Sequence, residues 1–323
     1  MNFKTYSDLS DDIRKNVGAL HALDVDLVVG IPRSGMIPAY MIALGLNLHC
    51  IDIVSFAKGG QLKSGVTRKV SKELDTAWDA RKVLLVDDSI YSGKSMKLAR
   101  KSIPTSYTGD IVELAIYSSI RGRNDIDLYL EYVPHPRVFE WNIFHHPILS
   151  RSCISIDREV AGILSREGRG HGETDGVITN DFSPLLDTHV HSLVSVEGEA
   201  NRGEIEAWLA GRGISYDSLV FLGDKPGRGF SNRLEAAKEK AAYYKSSRLE
   251  FFIEPDGTQA LGIFKRSGKP VYCSSRNVVY QASVIHGLYS HPAPIVARMK
   301  HQTKFLPSPV KSSLRFIYGK LFK

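Results

Sequence analysis

The sequence predicts an α/β protein of two domains, each built on a mostly parallel sheet flanked by helices. Short β-branched runs alternate with helix-like stretches, and the pattern restarts once, between residues 147 and 153. A chain of 323 residues is also about the length of two such domains.

The elements follow in order. Residues 1–25 read as a helix, with Ser7 or Ser10 as N-cap before "DDIRKNVGALHAL". "VDLVVGIP" is a β-branched run of the kind found in buried parallel strands, and "GMIPAYMIALGLN" is a helix with a small apolar face. "LHCIDIVSF" is a second strand. Residues 57–81 are polar and cationic without an apolar period. "KVLLVDD" is a third strand, "GKSMKLARKSI" a helix and "DIVELAIYSS" a fourth strand. Beyond the restart come strand "CISID", a polar Gly-rich loop over 165–187, strand "HSLVSV", helix "GEIEAWLAGRG" and strand "SLVFLG". A helix around "RLEAAKEKAAYYKSS", strand "LEFFIE", a helix over 257–266 and strand "PVYCSS" complete the second domain. His189 and His191 in "THVHS" read as strand-edge residues rather than ligands.

Composition narrows the classes. No apolar run approaches the ~20 residues of a membrane span, and the N-terminus lacks the apolar core of a signal peptide. Three isolated cysteines, Cys50, Cys153 and Cys273, fit a reducing cytoplasm. The net charge of +7 is concentrated at one end: after Asp256 there is no acidic residue, against eleven Lys and Arg. In "KSSLRFIYGKLFK", Leu314, Ile317, Tyr318, Leu321 and Phe322 make a helical stripe, with Lys311, Arg315 and Lys323 off it. Such a basic amphipathic tail fits an anionic membrane surface.

The chemistry concentrates in "KVLLVDDSIYSGKSM", residues 82–96. Ligands of open α/β sheets bind beyond the carboxyl ends of the strands. Asp87 and Asp88 stand at such an end, where ionised carboxylates can accept hydrogen bonds from the vicinal hydroxyls of a ribose. The small residues that follow open a helix, so backbone N–H groups and the Ser92 and Ser95 hydroxyls form an anion nest. Acids for sugar hydroxyls beside a nest for phosphate describe a sugar phosphate.

"VLLVDDSIYSGKS" resembles the motif by which type I phosphoribosyltransferases bind phosphoribosyl pyrophosphate (PRPP), and "GIPRSGMIPA" resembles their pyrophosphate loop, which often holds a non-proline cis peptide. The resemblance covers about the first 145 residues. It implies the type I phosphoribosyltransferase fold, with Asp87 and Asp88 on the ribose hydroxyls, Tyr91, Ser92, Gly93, Lys94 and Ser95 around the 5-phosphate, and Arg33, Ser34 and Gly35 on the pyrophosphate. Mg2+ is the implied cofactor, held mainly through PRPP near the two aspartates. Residues 57–81 occupy the place of a flexible catalytic lid, with Lys58, Lys63, Arg68 and Lys69 as candidates to neutralise the leaving pyrophosphate. Phe139, Glu140 and Trp141, in the late hood, are expected on the acceptor side; Glu140 or Asp52 is the candidate base.

"CISIDREVAG" and "FFIEPDGTQA" resemble the haloacid-dehalogenase-like (HAD-like) fold. Ser155 stands at the nucleophile position and Arg158 at that of a glycine. Asp157, Ser195, Lys240, Glu254 and Asp256 match the remaining positions. An aspartyl-phosphate cannot form on serine, so the resemblance implies a degenerate domain rather than a phosphatase. The expected division is a phosphoribosyltransferase domain over 1–148, a degenerate HAD-like domain over 149–290 and the basic tail over 291–323.

The expected activity is PRPP-dependent transfer of ribose 5-phosphate with release of pyrophosphate. Purine-salvage members carry an Asp where this chain has Tyr91 and a Lys where it has Ser118 and Ser119. With the tail and the fusion, this points to a lipid-linked glycan acceptor in bacterial surface polysaccharide (O-antigen or capsule) biosynthesis. The enzyme is expected in the cytoplasm, attached to the inner face of the cell membrane, with PRPP, the glycan and anionic lipid as partners and no nucleic acid. The alternatives are a nucleobase phosphoribosyltransferase of purine or pyrimidine salvage, and a non-catalytic regulator that binds PRPP or nucleotide.

Overall fold

The structure is a computed structural model that describes residues 1–63, 65, 67, 69–156, 188–196, 198–223 and 232–282. The chain divides into two compact units, Met1–His146 and Pro147–Lys323. Arg68, Asp157 and the tail over 291–323 lie outside the described residues.

In the first unit five strands form a sheet in the order β3-β2-β4-β5-β6, all parallel. They are β2 (Leu27–Gly30), β3 (His49–Asp52), β4 (Lys82–Ile90), β5 (Asp110–Ser118) and β6 (Leu128–Tyr132). β4 is central, and Val83, Leu84, Leu85 and Val86 are all fully buried. Its pleat sends Leu84 and Val86 into one core with α1 (Tyr6–Ala22) and α2 (Met36–Leu46). Val83 and Leu85 enter another core on the opposite face, with α3 (Ile53–Ala57) and α4 (Lys94–Ser102). Burial on both faces is why the strand reads as a continuous apolar run rather than an alternation.

Three local features differ from expectation. The N-cap of the first helix is Thr5, ahead of the expected Ser7 or Ser10, because Thr5 and Asp8 form a capping box, with the Thr5 hydroxyl accepting from the Asp8 N–H. The preceding residues form β1 (Asn2–Lys4), which pairs in parallel with β7 (Arg137–Phe139). "LHCIDIVSF" is a strand only as far as Asp52, whose carboxylate accepts the N–H groups of Val54 and Ser55 at 2.9 Å and starts α3. β6 has no counterpart among the expected elements.

The segment after α3 is tied at its base. Gln61 bridges Thr76, Leu62 N–H donates to Asp75 O (3.0 Å), and Trp78 Nε1 donates to Phe56 O (2.8 Å). Lys72 anchors the return limb on Asp24 (2.8 Å) and Asp26 (2.7 Å).

The second unit holds a six-stranded sheet in the order β10-β9-β8-β11-β12-β13. The strands are β8 (Ser152–Ser155), β9 (Val190–Ser195), β10 (Tyr216–Phe221), β11 (Phe251–Glu254), β12 (Val271–Cys273) and β13 (Val278–Tyr280). All pairings are parallel except β12 with β13, a hairpin that extends the expected pattern by one strand. Helices α5 (Arg202–Gly211), α6 (Arg233–Ser246) and α7 (Gly257–Ser267) fall where the sequence placed them. His189, just before β9, bonds Ser215 (2.6 Å) and Asp217 (2.7 Å) at the start of β10. β9 is flanked by β10 and β8, so His189 and His191 do not lie on a sheet edge as expected.

Asp12 ties α1 to the sheet. It is 3% exposed and meets Lys4 (2.7 Å), Lys15 (3.2 Å) and the Tyr117 hydroxyl (3.1 Å). Burial pushes its carboxyl up, but Lys4, Lys15 and Tyr117 outweigh that and hold it below the usual carboxylate range. A carboxyl lowered in this way stabilises the fold above the unfolded value near 3.9, and the contribution fades as pH falls through the folded value. Asp12→Ala is expected to cost about 2 kcal/mol in urea unfolding at pH 7. The difference from wild type should shrink as pH falls below about 4, where the unfolded carboxyl is protonated first and the folded one only at lower pH.

Candidate active site

β4 delivers Asp87 and Asp88 to the carboxyl end of the sheet, where they are 8% and 4% exposed. Asp88 is held at both oxygens: the Ser34 hydroxyl donates to Oδ1 (2.9 Å) and Trp141 Nε1 to Oδ2 (2.6 Å). Asp87 Oδ1 accepts the Asp88 N–H at 3.0 Å. No Lys or Arg among the described residues forms an ion pair with either carboxylate. Burial, and then the neighbouring Asp88 charge, push the Asp87 carboxyl up to about 8.

The loop after β2 lies directly on this strand end. Ile31 N–H donates to Val86 O at 2.9 Å. A Cβ on Gly35 would stand 2.6 Å from Ile31 O and 2.8 Å from Val86 O, so no other residue fits there without moving backbone. The Pro32–Arg33 peptide is cis. Arg33 is exposed, and Ser34 is half-buried against Asp88.

Beyond the acids, residues 89–96 wrap a pocket of about 190 Å³ that Asp87 and Arg137 complete. Gly93 turns the chain into α4 with φ 75°, a conformation side chains with a Cβ disfavour. A Cβ there would also lie 2.9 Å from Asp125 Oδ2. The loop is braced from outside: Arg123 donates to Tyr91 O (2.8 Å) and is forked onto Asp125 by two bonds of 2.7 Å. The first N–H groups of α4 have no partner within the helix, and Lys94, Ser95 and Met96 of its first turn line the pocket.

The family model of the phosphoribosyl transferase domain matches residues 5–107. The xanthine-guanine phosphoribosyltransferase of Chromohalobacter salexigens is 30% identical over 129 residues, which span 40% of this chain and 75% of that protein. Its counterpart in Roseobacter denitrificans is 27% identical over 124 residues, 36% of this chain and 68% of that protein. That of Desulfotalea psychrophila is 25% identical over 158 residues, 46% of this chain and 94% of that protein. The chain belongs to the phosphoribosyltransferase family.

A phosphoribosyltransferase draws its ribosyl group from PRPP, and the strand-end acids and the anion loop lie within the matched residues. The expectation of a glycan acceptor is overturned by these relatives, whose names specify nucleobases. The acceptor-side residues also differ from expectation. Phe139 is 3% exposed and is surrounded by Tyr117 (5.3 Å), Trp141 (5.0 Å) and the Arg137 guanidinium (5.3 Å), so it is a core residue with no face to offer. Trp141 spends its indole N–H on Asp88. Glu140 accepts the Tyr6 N–H (2.7 Å) at the start of α1, and Asp52 caps α3, so neither carboxylate is poised as a base. Ser118 is fully buried, with its hydroxyl donating to Ile120 O at 2.7 Å. The exposed aromatic at the pocket is Tyr91, edge-on to His135 at 4.9 Å.

Lys58, Lys63 and Lys69 are exposed in the segment after α3. No helix among the described residues is long and apolar enough to cross a membrane. No group of three or more His, Cys, Asp or Glu among them could hold a metal. The two strand-end carboxylates fit Mg2+ all the same, because this ion keeps several waters and takes substrate phosphate oxygens instead of an all-protein cage.

In the second unit, Lys240 and Glu254 are 0% and 1% exposed and meet at 2.7 Å. The Lys240 ammonium also donates to Ser155 Oγ (2.8 Å) and Gln259 Oε1 (2.8 Å). Ser195 ends β9, and Asp256 accepts the Thr258 and Gln259 N–H groups as the cap of α7.

Asp87 binds its proton more tightly in the folded protein than an aspartate in the unfolded chain does. The folded state therefore loses stability as pH rises from about 4 towards 8. Asp87→Asn should remove that slope in calorimetry, with a gain of at least ~1 kcal/mol over wild type at pH 8 that vanishes near pH 4. Gly35→Ala should cost about 1–3 kcal/mol in chemical denaturation, because the methyl group meets two carbonyl oxygens.

Proposed function

We propose that the first unit transfers ribose 5-phosphate from PRPP to a purine nucleobase of the 6-oxo type, such as xanthine or guanine, with release of pyrophosphate. The observation that carries this reading is the buried Asp87–Asp88 pair, unneutralised by any described cation, next to the loop pocket over 89–96. The names of the relatives supply the acceptor class.

Asp88, oriented by Ser34 and Trp141, accepts one ribose hydroxyl, and Asp87 accepts the other. The loop at 92–95 and the start of α4 bind the 5-phosphate. Arg33 and the 34–35 backbone take the pyrophosphate, and Mg2+ near Asp87 and Asp88 would neutralise charge on the diphosphate oxygens. The bond from the anomeric carbon to pyrophosphate oxygen breaks with its electron pair on the leaving group, and a bond to a ring nitrogen of the base forms as that nitrogen gives up its proton to solvent. Positive charge builds on the ribose ring in between, so electrostatic stabilisation by fixed carboxylates is the main task of the protein. Lys58, Lys63 and Lys69, on the segment tied at Gln61–Thr76, close over the leaving group and exclude water. Tyr91 and His135 form the aromatic wall for the base.

The second unit we read as HAD-like in layout and without phosphatase chemistry. Supporting this, β8 is flanked by β9 and β11, Ser155, Ser195 and Glu254 end those strands, and the Lys240 ammonium donates to Ser155 and Glu254. The three Lys240 donors are met by protein oxygens, in keeping with a scaffold.

Incubation of the full chain with PRPP, Mg2+ and xanthine, guanine, hypoxanthine or adenine should give base-dependent pyrophosphate release with the 6-oxopurines. Asp88→Asn should lower kcat/KM about 10²–10³-fold. Release that no nucleobase stimulates would sink this reading.

A further inference from the structure

We propose that Arg137 is a binding residue for the 5-phosphate of PRPP, closing the side of the cradle that the loop at 92–95 leaves open. The proposal rests on reading that loop as the phosphate subsite, and it adds a ligand from a distant part of the chain.

Arg137 lies on β7 and is 6% exposed, yet it forms no ion pair with a carboxylate among the described residues. Two of its five N–H donors are used: Nη2 donates to Ile90 O (3.0 Å) and Nη1 to Tyr117 O (3.3 Å). A guanidinium stays charged under these conditions, and a buried charge without a counter-ion is costly. Burial works against the Arg137 charge most, Asp88 favours it from a distance without forming an ion pair, and Arg123 opposes it and is itself already forked onto Asp125. Every other residue lining the pocket comes from the run 87–96, so Arg137 alone brings a cation there from another element. Lys94, the remaining cation in that lining, is exposed.

The side chain is also fixed in advance. Two carbonyl oxygens hold the fork, and the Phe139 ring lies 5.3 Å beneath it. Pre-ordering removes the entropy cost that a flexible surface cation would meet on binding, and a planar fork suits two phosphate oxygens at once.

The test compares wild type, Arg137→Gln and Arg137→Lys by titration with ribose 5-phosphate and, separately, with pyrophosphate, together with KM for PRPP and for guanine. Arg137→Gln is expected to weaken ribose 5-phosphate and raise the PRPP KM by at least about 10-fold. Pyrophosphate affinity and the guanine KM should stay within about twofold, which also certifies the fold. Arg137→Lys, with the charge but not the fork, should fall between, and if the glutamine variant does not fold, a wild-type PRPP KM in the lysine variant overturns the proposal. Unchanged ribose 5-phosphate affinity in Arg137→Gln, an equal loss for pyrophosphate, or a rise confined to the guanine KM would each overturn it. Failure of the wild type itself to bind ribose 5-phosphate would instead defeat the reading of the loop as a phosphate subsite.

Discussion

Two adjacent carboxylates at the end of a buried strand repel each other, and the first unit is arranged around keeping them there. β4 is buried on both faces, so its position is fixed by two separate cores, and Asp87 and Asp88 have no freedom to swing into solvent. Gly35 lets the 31–35 loop come close enough for Ser34 to reach Asp88. From the opposite end of the unit, Trp141 supplies the second donor, so the orientation of one acid depends on residues more than fifty positions away in both directions. These two bonds lower the cost of the Asp88 charge without cancelling it.

Neither Arg33 nor Arg137 forms an ion pair with the acids, although Arg137 shares a pocket with Asp87 and feels the Asp88 charge. Arg33 stands exposed on one side, and Arg137 is buried beyond the other against carbonyl oxygens and a ring. Had Arg33 or Arg137 been allowed to pair with Asp87, both charges would be satisfied within the protein and little would be left for a ligand. Asp87, raised to about 8, shows the cost of leaving the acids without a cation. Perturbed groups that no internal partner relieves are characteristic of sites whose partner arrives from solution.

The strand, the acids and the small-residue loop were legible because they are contiguous: an apolar run, two carboxylates and a glycine turn carry their physics within fifteen residues. The hood was not legible in the same way. Phe139 and Trp141 have the composition of a stacking wall and equally that of a core, and only their position beside Tyr117 decides for the core. Asp52 and Glu140 looked like spare acids, but each sits where a helix begins and accepts backbone N–H groups. Thr5 with Asp8 was a readable capping box that the nearby serines obscured. Arg137 offered no local signal at all, since its meaning lies in the carbonyls of Ile90 and Tyr117, 47 and 20 positions away. The absence of an acid at Tyr91 and of a lysine at Ser118 was too weak a ground for excluding a nucleobase, since Ser118 is turned inward and says nothing of what lies over the pocket.

The two units invite opposite conclusions from the same kind of observation. Each has buried ionisable groups at the carboxyl ends of a parallel sheet. In the second unit Lys240 and Glu254 neutralise each other at 2.7 Å, and Ser155 and Gln259 take the remaining ammonium donors. Separating such a buried pair to admit a ligand would expose an uncompensated charge. In the first unit two carboxylates and a guanidinium are buried without ion-pair partners among the described residues, and Asp87 and Arg137 line one pocket with the start of α4. That difference in charge balance among the described residues agrees with the family match, which lies within the first unit.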